Sequence, residues 1–311
     1  MKSPSLSGLA NRSVGSDAAI RAGGGLSARS RLTSLWTLYV LTLRQHLHGK
    51  RWMVMVGLFL LCAGLVVLVR ATSHDVPVLQ LEFIFAFLFI PQAILPLLAL
   101  VYASGIVRDE QEEQTMTYLL IRPIPKWAIY AIKLLATLTT TVFLVAALTV
   151  LVYAAIYAGA ASGQTNVPLR CLKAVSIHAL AVGAYCCLFG LISLLTNRVL
   201  VVGVLYTAVF EGLLANMPFS IRLATVIYYT RLIAYRSLDF ITTMHMRGYV
   251  VTNNIAAEMW QLDAKSHPGV LEHPRIRTCL AVILVGSLAC TALAAFLFSR
   301  REFYVKTPEK T

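Results

Sequence analysis

The stretch RDEQEEQTMTYLLIRPIPK, residues 108–126, lies between two long apolar runs and decides how this chain is organised. It carries four acids, three bases and two prolines. The neighbouring runs, Phe83–Ala103 and Leu134–Ala161, are almost free of charge, and each is long enough to cross about 30 Å of hydrocarbon. We therefore predict a membrane protein in which this charged stretch is a loop outside the bilayer.

The composition of the whole chain agrees with this prediction. Of its 311 residues 58% are hydrophobic and 13% are charged, and the mean hydropathy is +0.72. That is more apolar than a soluble domain can bury around one core. We predict an all-α integral membrane protein with six spans, at Trp52–Val69, Phe83–Ala103, Leu134–Ala161, Ala174–Leu195, Val199–Phe219 and Cys279–Ser299.

The basic residues predict the orientation of the spans. An even number of spans places both termini on the same side. If both termini lie in the cytoplasm, the majority of the 27 Lys and Arg residues lie on the cytoplasmic side, as is usual for membrane proteins. We therefore predict cytoplasmic termini and a location in the inner cell membrane. These bases lie beside the spans rather than in one soluble patch, so we expect contact with anionic membrane lipid and no nucleic acid.

The segments that flank the spans divide the chain into three parts. Residues 1–30 are rich in Ser, Gly, Ala and Arg and are predicted to be a disordered tail. Residues 31–301 are predicted to form the transmembrane domain, and residues 302–311 are predicted to form a cytoplasmic tail.

The transmembrane domain contains two predicted segments besides its spans. From Arg31, apolar residues at three- and four-residue steps predict a helix in the cytoplasmic interface, or else a simple extension of the first span. Residues 220–277, between spans five and six, are predicted to form short amphipathic helices on the outer face, followed by a loop.

The charged loop itself has the pattern of a short acidic helix. Glu110, Glu112 and Glu113 cluster toward its start, where the helix dipole favours acids. Arg122 precedes Pro123, and a residue before proline is driven out of the α region. We therefore predict a helix that ends in a rigid corner before Lys126 leads into the third span.

This loop resembles the one that follows the second span in type-2 ATP-binding-cassette permeases. The family pattern reads E-x-E-x-G-T-L, a few apolar residues, R-P-[IV]-x-[RK], and then a Lys that opens the third span. The matching positions are Glu110, Glu112, Thr115, Met116, Leu119, Leu120, Arg122, Pro123, Ile124, Lys126 and Lys133. Gln114 replaces the family's glycine, and the wider resemblance covers Arg31 to Arg301.

The resemblance implies a coupling helix that inserts into a separate cytoplasmic ATPase. Its expected coupling residues are Glu110, Glu112, Glu113, Thr115, Leu119, Arg122 and Pro123. It also implies a permease working as a homodimer or a paired permease, with export as the direction. ATP and Mg would be bound by the partner, since this chain has no G-x-x-x-x-G-K-[ST] motif, and no catalysis or cofactor is expected here.

Glu211 is the one acid inside a predicted span, and a carboxylate at that depth is costly unless it faces protein or water. It is predicted either to act at a gate or cargo path, or to tie a broken helix together through Arg222 or a backbone amide after Pro218. An alternative function follows from the first option, a self-contained secondary transporter or channel that uses Glu211. A membrane-anchored scaffold without transport is a further alternative.

Other chemistry has little support in the sequence. It contains no H-E-x-x-H, no G-x-S-x-G and no C-x-x-C pattern, so neither a metal site nor a nucleophile is predicted.

Overall fold

Among the residues that the structure describes, six helices are long and apolar enough to cross a membrane, as predicted. They are found in a computed structural model that describes residues 28–48, 50–72, 76–106, 125–158, 166–217, 220–246, 249–260 and 274–300. Spans 1 to 6 are Arg51–Thr72, Val78–Ala103, Lys126–Tyr157, Val167–Leu195, Val199–Asn216 and Ile276–Arg300. The end at which spans 2 and 4 begin is called the outer end below, after the predicted topology.

Three spans begin well before the start that the sequence predicted. Span 2 begins at Val78 rather than Phe83, span 3 at Lys126 rather than Leu134, and span 4 at Val167 rather than Ala174. The prediction counted uncharged runs and therefore stopped at the first charged residue. The helices continue through such residues, and the extension of span 2 places Glu82 inside the span.

Two spans contain wide π-type turns. In span 2 these turns run over Phe83–Ile94 and include Pro91. Proline has no N–H to donate to the preceding turn, and a wider turn is one way in which a helix accommodates this loss. In span 5 the wide turns cover Thr207–Leu213, and a 3-10 turn, Leu214–Asn216, ends the span.

Span 4 lies at the centre of the bundle. It packs against spans 2, 3, 5 and 6 and against the outer segment. Of the most apolar 18 residues of span 4, 61% are buried, whereas the corresponding share for span 6 is 11%. The exposed surface of span 6 is therefore available to lipid or to another chain. A second core lies at the outer end, where Phe83 contacts the rings of Phe240 and Trp260.

The N-terminal helix, Ala28–His48, packs along span 3. Its Tyr39 hydroxyl donates to Thr139 Oγ1 at 3.1 Å, and His46 Nε2 lies 3.2 Å from Thr137 Oγ1. The helix begins before the predicted boundary at Arg31, and its location in the membrane interface stays a prediction.

The outer segment between spans 5 and 6 contains two strands that were not predicted, in addition to short helices as predicted. It contains a 3-10 turn at Ser220–Ala224, a helix at Val226–Ser237 that we call the outer helix, and a short helix at Ile255–Met259. Between these helices, strands Ile241–Met246 and Tyr249–Asn254 form an antiparallel hairpin. Both strands are rich in β-branched, Met or aromatic residues, a composition that favours strands.

Candidate functional site

The predicted coupling loop lies mostly outside the described residues. This holds for all seven of its predicted site residues, Glu110, Glu112, Glu113, Thr115, Leu119, Arg122 and Pro123. Both places where the loop joins the bundle are described, at Ile106 and at Pro125.

These two ends are fixed to the spans by hydrogen bonds. The Lys133 ammonium group, on a side chain that is 5% exposed, donates to the Ile106 carbonyl at 3.2 Å. At the other end, the Pro125 carbonyl accepts from the first turn of span 3, including Ala128 N at 2.9 Å. Lys133 therefore joins the last turn before the loop to the helix that follows the loop.

Glu211 lies in the wide turns of span 5, and its side chain is fully buried. Its Oε1 accepts from the backbone N–H of Val226 at 3.1 Å and from the Tyr206 hydroxyl at 3.1 Å. Its Oε2 accepts from the Ile227 N–H at 3.0 Å. The carboxylate thus satisfies two of the amides that the first turn of the outer helix leaves unpaired, at the positive end of the helix dipole.

The sequence predicted either of two structural partners for Glu211, namely Arg222 or a backbone amide after Pro218. The observed partners include two such amides, those of Val226 and Ile227. Arg222 is not among the hydrogen-bond donors described for Glu211, and its guanidinium lies over the Tyr228 ring, 5.1 Å from the centroid. Glu211 therefore joins span 5 to the first turn of the outer helix. A role at a gate stays a prediction.

Arg231 makes a second link between the outer helix and the spans. It donates to Asn216 Oδ1 at 2.9 Å and to Gln92 Oε1 at 3.2 Å. Asn216 ends span 5, and Gln92 lies in the wide turns of span 2. Burial lowers the pKa of Arg231 to about 10, so the group remains a cation at neutral pH.

A second buried acid, Glu82, was not identified from the sequence. The side chain is fully buried, and its Oε1 lies 3.1 Å from Arg170 Nη2. The hydroxyls of Tyr153 and Tyr157 donate to its two oxygens at 2.7 and 2.6 Å. We call these four side chains the Glu82 cluster; they join the outer ends of spans 2, 3 and 4.

The Glu82 cluster also holds the segment that follows the outer helix. Arg170 Nη1 donates to the Asp239 carbonyl at 3.3 Å, and the Arg170 guanidinium lies over the Phe240 ring at 5.6 Å. One turn further along span 4, Lys173 Nζ donates to the Ser237 carbonyl at 2.9 Å. The basic end of span 4 is therefore bonded both to a membrane acid and to the outer segment.

A sequence signal for this cluster does exist. Glu82 stands directly before the predicted start of span 2, and Arg170 stands four residues before the predicted start of span 4. Extending each uncharged run by one helical turn at its outer end includes an acid in one span and a base in the other. Opposite charges at the same depth in adjacent spans are a signature of a buried pair.

Metal binding finds no support in the part of the chain that the structure describes. No group of three His, Cys, Asp or Glu side chains within it could hold a metal ion. All six cysteines lie in the described ranges and are free thiols.

Comparison with known proteins agrees with this architecture. A family model described as "ABC-2 family transporter protein" matches residues 45–213, more than half of the 311 residues. The matched part begins near the end of the N-terminal helix and extends into the wide turns of span 5. It includes the charged loop, the Glu82 cluster and Glu211. None of the curated proteins matches the chain.

Proposed function

The chain belongs to the ABC-2 family of transporter membrane proteins, and we propose that it is the permease subunit of an ATP-driven exporter. In this proposal it contributes the transport path and the mechanical coupling. A separate cytoplasmic ATPase binds ATP and Mg and hydrolyses the nucleotide. The protein would reside in the inner cell membrane with both termini in the cytoplasm.

The observation that carries this proposal is the charged loop on fixed supports. Residues 108–126 offer four acids to a basic partner surface, and complementary charge favours such an encounter. The loop is joined to span 2 at one end and to span 3 at the other. Lys133 of span 3 donates a hydrogen bond to the carbonyl of Ile106, which lies just before the loop, and so connects the two sides. A displacement of the loop would therefore act on both spans together.

A route from the loop to the outer end runs through the same spans. Spans 2 and 3 pack against span 4, and the Glu82 cluster bonds all three where they reach the outer end. Lys173 then holds the end of the outer helix, and Arg170 holds the segment that follows it. Motion imposed by the ATPase would thus reach the outer segment through stiff helices, as in other transitions built on rigid elements.

A second permease copy would complete the path. Of the most apolar 18 residues of spans 1 and 5, 22% are buried in each case, and of those of span 6, 11% are buried, so apolar surface remains on these three spans. Membrane lipid would cover the part that a second copy does not.

The test is copurification of the ATPase with the tagged chain from mild detergent. We expect a Walker-motif ATPase to copurify with the wild type and to be lost in the double variant Glu110→Lys with Glu112→Lys. Reversing both charges turns attraction for a basic surface into repulsion. Glu258→Lys is the matched control, because Glu258 is an exposed acid of the outer segment.

Mass spectrometry of the eluate and its ATPase activity give the readout. Loss of the ATPase from the double variant alone supports the proposal. Equal copurification from all three proteins would contradict the role given to the loop. A chain that purifies without any ATPase and still moves solutes in liposomes would support the secondary transporter instead.

The geometry of Glu211 weighs against that alternative. A coupling carboxylate releases and rebinds its ion during each cycle. The Glu211 oxygens already accept two backbone N–H groups and a tyrosine hydroxyl, and a change of charge there would disturb the start of the outer helix.

A further inference from the structure

A small cavity lies where the outer helix crosses spans 2 and 4. It is lined by Pro91 of span 2, His178 and Ala181 of span 4, Arg231 of the outer helix, and Trp260, together with apolar neighbours. Its volume is about 10 Å³. A buried cavity needs a volume of about 10–15 Å³ to hold one water molecule.

Three polar atoms without hydrogen-bond partners belong to side chains that line this one cavity. They are His178 Nε2, Arg231 Nε and Trp260 Nε1. Their side chains are 0%, 6% and 7% exposed, so bulk water does not satisfy them. Orphaned polar atoms are rare in folded proteins, and three from separate elements around one cavity indicate a shared partner.

The hydrogen-bonding role of each atom can be assigned. The guanidinium and indole nitrogens are donors only. The Thr149 hydroxyl donates to the Val145 carbonyl at 2.8 Å, so at its 2.9 Å contact with His178 Nδ1 it accepts. We therefore assign the proton of the neutral imidazole to Nδ1, which leaves the lone pair of His178 Nε2 as the acceptor for the cavity.

We propose that the cavity holds one ordered water molecule. A water molecule can accept from Arg231 Nε–H and Trp260 Nε1–H while it donates to His178 Nε2. Pro91 has no N–H for the carbonyls of the preceding turn, so such a carbonyl is a suitable acceptor for the second water hydrogen.

A small anion matches the same atoms less well. Two donors, one of them on the Arg231 cation, would attract it, but the lone pair of His178 Nε2 would face it. Water alone supplies both acceptors and donors in this volume. The site therefore gives the outer helix a water-mediated attachment to spans 2 and 4, in addition to its direct attachment to span 5 through Glu211. This inference does not depend on the proposed transport function.

The test is radiolytic hydroxyl labelling of the full chain in lipid nanodiscs, read residue by residue by mass spectrometry. Radicals formed from a water molecule in place oxidise its neighbours, so we expect Trp260 and His178 to be labelled although they are buried. Phe189, an aromatic residue that is 0% exposed and does not line the cavity, gives the background level. Mixing with H₂¹⁸O shortly before irradiation shows how fast the water exchanges.

Retention of ¹⁶O on Trp260 and His178 at short mixing times supports a bound water molecule. Labelling no higher than that of Phe189 would show a dry cavity and overturn the proposal. Complete ¹⁸O incorporation at the shortest time would show an open path to bulk water and would also overturn it.

A pair of variants on span 4 supplies an internal check. Ala181→Val adds bulk at the wall of the cavity and should reduce labelling of Trp260 and His178 several-fold. Ala184→Val makes the same change on the same helix, at a residue that lines a different pocket, and should leave labelling unchanged. Equal labelling in both variants would contradict the assigned position of the water.

Discussion

The carboxylate of Glu82 and the guanidinium of Arg170 form an ion pair, with 3.1 Å between Oε1 and Nη2, that joins the outer end of span 2 to the outer end of span 4. Buried charges persist in membranes when they are paired with each other and hydrogen-bonded. Here the acid is fully buried and receives two tyrosine hydroxyls as well. The pair therefore holds spans 2 and 4 together close to the place where span 4 is bonded to the outer segment.

We expect Glu82→Gln to destabilise the protein, because it leaves the Arg170 cation without its counter-charge. The free energy of unfolding should fall by about 3 kcal/mol, which is at the lower end of the effects found when one partner of a buried ion pair is removed. Thermal unfolding in detergent is the measurement. Glu258→Gln, at an exposed acid, should change the midpoint little. A midpoint for Glu82→Gln equal to that of the wild type would show that the pair contributes nothing to stability.

The two tyrosines of the Glu82 cluster predict a graded effect. Tyr153→Phe should cost about 2 kcal/mol and Tyr157→Phe about 1 kcal/mol, because each removes one donor to a charged acceptor and Tyr153 is the more buried. The same unfolding measurement applies. The reverse order of effects would mean that burial does not govern the strength of these bonds.

Glu211→Ala should loosen the start of the outer helix. The amides of Val226 and Ile227 lose their acceptor, and loss of a helix cap of this kind costs about 1 kcal/mol or more, so their hydrogen exchange should accelerate roughly tenfold. Hydrogen–deuterium exchange of a peptide that covers the outer helix measures this. Glu211→Gln retains one acceptor oxygen and should show a smaller acceleration. Unchanged exchange in Glu211→Ala would remove the capping role.

Transport by Glu211→Gln should keep the pH dependence of the wild type, because the carboxylate serves as a hydrogen-bond acceptor for the outer helix. The measurement is ATP-driven transport in liposomes over a pH series. A pH profile that is altered in the variant, with the fold intact, would instead support the secondary-transporter alternative.

Span 5 packs against span 2 through Gly203. A methyl group added there would collide with the Leu100 side chain, so Gly203→Val should shift the packing of these spans and lower stability by about 1–3 kcal/mol. Gly57→Val in span 1 is the control, since a side chain there meets nothing within 4 Å. Equal effects of the two variants would show that the Gly203 contact is not tight in the membrane.

Lys133→Met should leave ATPase binding intact while it lowers ATP-driven transport. The substitution keeps an apolar stem of similar length but removes the donor to the Ile106 carbonyl. Copurification and transport are measured on the same preparation, and Lys133→Arg, which retains a cationic donor, should recover part of the activity. Parallel loss of binding and transport would indicate that Lys133 supports the fold rather than the transmission of movement.

The number and order of the spans could be predicted from the sequence because hydrophobic length alone fixes them. The outer ends of spans 2 and 4 could not, since Glu82 stops one uncharged run and Lys173 stops the other, and Glu82 and Arg170 compensate each other only in the folded bundle. Glu211 stood out as a lone acid within a span, but its partners are amides 15 and 16 residues away that only the folded outer segment brings close. The hairpin lies in a stretch with no apolar alternation strong enough to predict two strands.

The separation of Glu82 and Arg170 along the chain also has a consequence for biosynthesis. The two residues are 88 positions apart, so the ribosome delivers span 2 to the insertion machinery well before it has made the start of span 4. During that interval Glu82 has no counter-charge in span 4. The unpaired acid makes the transfer of span 2 into lipid less favourable than it is once Arg170 is present. A nascent chain arrested before residue 170 should therefore hold span 2 less firmly in the bilayer than one arrested after span 4 is complete.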